Sequence, residues 1–230
     1  MNSHQRQPEM PILQVLPVTH LLLHEQHDAQ RSEPLLQRLQ LEGVLKNPPI
    51  VAPISGEDRY VVLDGANRVT AMQALGIPHI AAQVVDYEDP ELVLDTWHHL
   101  VKALDCAHFK RLLQAVTGVS LRAADLMHAR ALLARREILA FVQYPQGEAC
   151  TVHAEGDLHA RTRCLNDIVD LYKAQGRIFR ANTDHLPSLL QLYDEVTALL
   201  VFPRCAPAEI MDLARVRACL PAGITHQLNA

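Results

Sequence analysis

The stretch Tyr60-Val61-Val62-Leu63-Asp64-Gly65-Ala66-Asn67-Arg68 decides how this chain is read. Its apolar start reads as a strand, and Gly65 permits backbone angles closed to other residues, so the chain can turn there. The helix expected from residue 66 presents unpaired N–H groups and the positive end of its dipole. Such an end favours an anion, and Arg68 adds a guanidinium that can fork onto phosphate oxygens. Asp64 would repel bare phosphate, which points to a metal ion or to a hydroxyl proton that it can accept. On the motif alone the plainer reading is the commoner one: Asp64 as helix N-cap and Arg68 as a surface pairing group.

Outward from the turn, residues 13–18 form a short apolar run readable as a strand, and His24-Glu25-Gln26-His27-Asp28 is a polar loop. Ser32 and Glu33-Pro34 look like a helix start, with proline tolerated in the first turn. Leu35, Leu36, Leu39 and Leu41 give that helix an apolar stripe, and Gly43 ends it. Residues 49–54 and 59–63 read as a hairpin across Ser55-Gly56-Glu57-Asp58. Residues 66–75 read as a helix burying Val69, Met72 and Leu75 and closed by Gly76, and 80–87 as a further strand. This order makes a small α/β unit.

Past residue 89 the pattern changes. Residues 92–101 suit strand or helix. Helices are expected over 107–116, 123–134, 158–173 (the longest) and 207–218, and strands over 138–142, 149–152 and 196–202. The expected class is α/β (α+β): a loose tail over 1–12, a first domain over 13–103, and a C-terminal lobe over 104–230 with a smaller sheet that completes a substrate cleft. No internal repeat or low-complexity tract interrupts it.

Composition narrows the function. With 49% hydrophobic residues the chain can bury a core, and 21 basic against 26 acidic side chains leave no basic footprint for broad duplex-DNA binding. Five cysteines, at 106, 150, 164, 205 and 219, show no CxxC spacing and read as reduced packing thiols. His24, Glu25, His27 and Asp28 lack HExxH spacing, and adjacent His98 and His99 would face opposite sides of a strand, so neither group reads as a metal site. Arg135-Arg136 reads as a surface turn. Without a signal-like or ~20-residue apolar segment, the expectation is a cytoplasmic protein with no membrane partner.

The order of elements resembles the ParB/sulfiredoxin superfamily: a Glu-containing loop, a helix ending in glycine, a hairpin, then an Asp-Gly-x-(His/Asn)-Arg turn and helix. The resemblance implies that the turn binds nucleotide phosphates. Residues 64–68 contain no cysteine, which excludes sulfiredoxin chemistry, and the chromosome-partition Gly-Glu-Arg-Arg motif is missing. The closer resemblance is to the free serine kinases, including those of siderophore biosynthesis. It is carried also by His24-Glu25, Leu94-Asp95-Thr96-Trp97, Val201-Phe202-Pro203-Arg204, Pro207-Ala208-Glu209-Ile210 and Pro221-Ala222-Gly223-Ile224-Thr225.

That resemblance implies phosphoryl transfer from ATP or ADP, with Mg²⁺, to L-serine, giving O-phospho-L-serine. Glu25 is then the general base, and Asp64 assists the hydroxyl or holds Mg²⁺. Gly65, Ala66, Asn67 and Arg68 surround the phosphates, Trp97 walls the amino-acid pocket, and Thr225 and His226 touch the substrate. The plainer alternatives are a solvated Glu25 and a core Trp97. Two departures stand out: Asn67 where the kinases have histidine, and Thr225-His226-Gln227 where they have Thr-Arg-His. Histidine and glutamine cannot replace an arginine's charged fork. They motivate an alternative, a nucleotide- or ligand-sensing regulator of ParB-like type, with a CTP-using DNA-associated protein as a third reading. A homodimer is compatible with all three.

Overall fold

A computed structural model describes residues 11–89 and 92–229. The chain divides into two compact units, Met1–Leu23 with His27–Leu92, and His24–Gln26 with Val93–Ala230. The tail expected over 1–12 lies, for residues 1–10, outside the described residues.

The first unit comprises β1 (Leu13–Pro17), β2 (Leu21–Leu23), α1 (Ala29–Glu42), β3 (Ile50–Pro53), β4 (Tyr60–Asp64), α2 (Ala66–Ala74) and β5 (His79–Val84). Its mixed five-stranded sheet runs β1-β5-β3-β4-β2. Val61, Val62 and Leu63 are all buried, which is why β4 reads as a continuous apolar run rather than an alternation. Val51, Val62, Val69, Met72 and Ile80 form the core beneath the helices. α1 starts a turn earlier than Ser32, with the Asp28 carbonyl accepting from Arg31 N and Ser32 N at 2.9 and 2.8 Å. Pro34 therefore lies inside the helix. Leu41 is 87% exposed, because two residues beyond Leu39 the helix has turned away from the core. The three-residue β2 escaped the sequence pattern because so short a strand shows no period.

The second unit adds β6 (Leu92–Thr96), β7 (His98–Lys102), α3 (Cys106–Ala115), β8 (Val119–Ala123), α4 (Leu126–Ala134), β9 (Ala140–Gln143), β10 (Ala149–Ala154), α5 (Leu158–Lys173), β11 (Arg177–Ala181), α6 (Leu186–Leu190), β12 (Val196–Val201), α7 (Pro207–Val216) and β13 (Thr225–Asn229). Six strands form an antiparallel sheet, β11-β7-β12-β9-β10-β8, and β6 pairs with β13.

This sheet is larger than the first unit's, not smaller as expected. The strands missed, β8 and β11, are its edges, where mostly exposed residues leave no apolar signal. The ambiguous run at 92–101 is two strands interrupted at Trp97. The division falls after Leu92 rather than after residue 103, because β7 is hydrogen-bonded between β11 and β12. α5 follows its sequence reading, burying Leu165, Ile168, Val169 and Tyr172 along one stripe. His98 and His99 face opposite sides as expected. His99 Nδ1 lies 2.6 Å from the Tyr172 hydroxyl, and burial lowers its pKa to about 3, so it is a neutral core histidine.

Candidate active site

In the first unit β4 delivers the chain to Gly65, which caps α2 with φ +101°. A Cβ there would meet the Arg68 side chain and, at 2.8 Å, Pro49 Cβ, so both the backbone angle and the space require glycine. α3, α4 and α5 are each capped by an aspartate, Asp105, Asp125 and Asp157, accepting a backbone N–H at 2.9 Å. α2 has no side-chain cap among the described residues. Of its first-turn N–H groups, Arg68 N already donates to Gly65 O at 2.9 Å, which leaves those of Ala66 and Asn67 to an anion.

Asp64 is thus not the N-cap. It pairs instead with Arg68 Nη2, four residues on, so that part of the plainer reading holds. The arginine side chain is 18% exposed, and its Nε is buried with no hydrogen-bond partner among the described residues. Asn67 Oδ1 accepts from Asp28 N at 2.8 Å, tying the turn to the start of α1. Its amide nitrogen and backbone N–H are what it can offer a ligand.

In the second unit Glu25, Trp97, Thr225 and His226 come together. Residues 24–26 are stitched alongside the segment before β13: Gln26 N donates to Leu220 O at 2.7 Å, and Leu220 N to His24 O at 2.8 Å. Glu25 Oε2 accepts from Thr225 N at 2.9 Å and from Thr225 Oγ1 at 2.6 Å. Its Oε1 accepts no hydrogen bond among the described residues, so one oxygen is fixed and the other is left to act. The negative charge of Glu25 also adds to the burial that pushes the Cys219 thiol up.

Trp97 N donates to Ile224 O at 2.7 Å, and its indole stacks on the His226 ring at 4.1 Å between centroids. Trp97 is only half-buried, so it is not the plain core tryptophan of the alternative reading. Burial lowers the His226 pKa, and its buried Nδ1 has no partner among the described residues. Sequence reasoning gave no site role to three participants here, although it had singled out the segments that hold His24 and Arg204. His24 is 2% exposed, with Nε2 2.9 Å from Thr225 Oγ1. Arg204 pairs with Asp95 at 2.8 Å. The Arg180 guanidinium lies against Gly223, leaving no room for a Cβ. For Arg180 no local signal existed, since it sits on an edge strand that the pattern did not reveal.

Comparison with proteins of known structure now places the fold. A free serine kinase solved with AMP, as a glutamate-to-glutamine variant, superposes with a TM-score of 0.81 at 16% identity, covering 99% of this chain and 92% of that one. A glutamate-to-alanine variant with ADP gives 0.80 at 15% identity, covering 98% and 91%. The chain has the fold of the free serine kinases.

Sequence likeness is more local. An ATP-dependent L-serine kinase of Staphylothermus marinus is 39% identical over 88 residues, which are 38% of this chain and 34% of that protein. The corresponding enzyme of Desulfurococcus mucosus is 33% identical over 87 residues, 38% and 33%. The match thus spans about a third of the length of these curated relatives. No family model matches the chain.

Proposed function

We propose that the protein transfers a phosphoryl group from ATP or ADP to the hydroxyl of free L-serine. The observation that carries this is the Glu25 carboxylate, clamped by Thr225 with Oε1 unengaged, in a chain with the free serine kinase fold. The AMP- and ADP-bound structures of that fold, and the relatives acting with ATP, support a nucleotide ligand.

In this reading Oε1 of Glu25 takes the serine hydroxyl proton as the oxygen attacks the terminal phosphorus. The uncapped end of α2 holds the phosphates, with Arg68 exchanging Asp64 for a phosphate oxygen. Asp64, released by that exchange, would be the residue to hold a magnesium ion. Among the described residues no group of three or more His, Cys, Asp and Glu could cage a metal, and Mg²⁺ commonly needs only one or two carboxylates beside phosphate. When bound, the ion neutralises developing phosphate charge.

Asp95, Thr96, His98, Arg130, Asn182 and Arg204 border a cavity of about 430 Å³. Its lining includes none of Glu25, Trp97, Thr225 and His226, and its Arg204 and Arg130 are paired with Asp95 and Asp184, so it is not the place where Glu25 would meet serine. Arg180 beside Gly223 offers the positive charge that the His226 position lacks. The purified protein, given Mg²⁺, L-serine and either nucleotide, should form O-phosphoserine visible by ³¹P NMR; failure with both nucleotides sinks the proposal. His226 in place of arginine favours a second reading, a nucleotide sensor without turnover. Nucleotide binding with no phosphoserine formed would select it.

A further inference from the structure

Three groups of the second unit form a hydrogen-bonded line that ends on the proposed base. Thr225 Oγ1 lies 2.6 Å from Glu25 Oε2 and 2.9 Å from His24 Nε2. An ionised carboxylate only accepts, so the threonine hydroxyl spends its single proton on Glu25. It must then accept from His24, which places a proton on Nε2. The same Oε2 takes a second bond, from Thr225 N at 2.9 Å.

Three consequences follow from this order. The hydroxyl has no proton left to offer a substrate. The carboxylate cannot rotate without breaking two bonds on Oε2, so Oε1 is the oxygen held out to react. His24, at 2% exposure, acts from within the protein rather than by touching a ligand.

We infer that His24 and Thr225 are positioning residues that orient Glu25, with Thr225 acting on the base rather than contacting the substrate. The inference rests on the kinase reading for its effect on turnover, but the hydrogen-bond line stands without it. A base held by a second group that is itself held by a third is a recurrent way to fix a catalytic side chain. It also explains why a glutamate loop from near the start of the chain is stitched to residues 220–225. That stitching sets the backbone of both partners, and the His24–Thr225 bond sets the side chain.

The test has two independent arms. Long-range ¹H–¹⁵N NMR of the histidine rings, with His24 assigned from its loss in His24→Gln, should show the proton on Nε2 in the intact protein. A His24 ring bare at Nε2 overturns the inference whatever the protein catalyses.

The second arm is kinetic. Thr225→Val keeps the backbone N–H and the side-chain shape, and should lower kcat about tenfold with the serine KM changed less than about twofold. Thr225→Ser should recover most of that loss. His24→Leu should resemble Thr225→Val, and His24→Gln, whose amide can donate from a similar place, should lie closer to wild type. Adding His24→Leu to Thr225→Val should cost little more, because both break one line. A rise in serine KM with kcat unchanged in Thr225→Val would mean that the hydroxyl binds substrate, and would overturn the assignment. If the wild type forms no phosphoserine while its His24 carries the Nε2 proton, the kinase reading fails and the hydrogen-bond line survives.

Discussion

In the first unit the candidate site is one run of chain, residues 64–68, set by the end of a strand and the start of a helix. In the second it is gathered from residues 24–26, 95–97 and 220–226, with Thr225 meeting Glu25 across 200 positions. The first kind of site depends on local backbone geometry, and the second on the fold having formed. Substitutions in the turn should therefore act chiefly on nucleotide binding. Those in the second unit should act on turnover or on stability.

The largest effect expected is that of Glu25→Gln. Loss of the proposed general base should lower kcat by about 10²- to 10⁴-fold, while nucleotide affinity measured by calorimetry stays within about twofold. Equal losses in both would erase the distinction between the two regions. Gly65→Ala comes next. Its Cβ would press on Arg68 and Pro49 at a φ of +101°. Nucleotide affinity should fall about tenfold or more, with a strain cost of about 1–3 kcal/mol. Unchanged affinity would remove the turn from the nucleotide site.

The geometry of the turn was legible because a glycine between strand and helix has few physical explanations. Even so, the sequence could not show that Asn67 serves the Asp28 N–H, or that Arg68 closes on Asp64. Those are choices among side-chain rotamers, not patterns. Glu25 was legible only through resemblance, since a carboxylate in a polar loop looks the same whether solvated or clamped. Its clamp lies at the far end of the chain, in a strand that apolar periodicity did not announce. Among the longer elements, α5 reads well because burial imposes its period, and β12 because burial on both faces makes it a continuous apolar run. The edge strands β8 and β11 did not, because exposure removes the signal.

Stability sharpens the contrast further. His99 is buried neutral in the second unit, with a pKa lowered to about 3 from 6.5. Between those values the unfolded chain binds a proton that the folded one refuses, so this contribution is complete above pH 6.5. It is lost as pH falls toward 3, at about 1.4 kcal/mol per pH unit. His99→Phe should flatten that acid-side slope in denaturant melts; an unaltered slope would show that His99 titrates freely when folded. The smallest effect is at a cap. Asp157→Ala should cost about 1 kcal/mol by removing the bond to Ala160 N. Asp64→Ala should leave α2 intact, because Asp64 caps nothing.

The central claim is that the serine oxygen itself attacks phosphorus, and isotope labelling tests this directly. L-Serine carrying ¹⁸O in its hydroxyl, incubated with the protein, Mg²⁺ and ATP or ADP, should give O-phosphoserine. Its ³¹P resonance should show ¹⁸O retained in the bridge between carbon and phosphorus. Absence of phosphoserine with both nucleotides, or a product whose bridge has lost the label, would contradict the account.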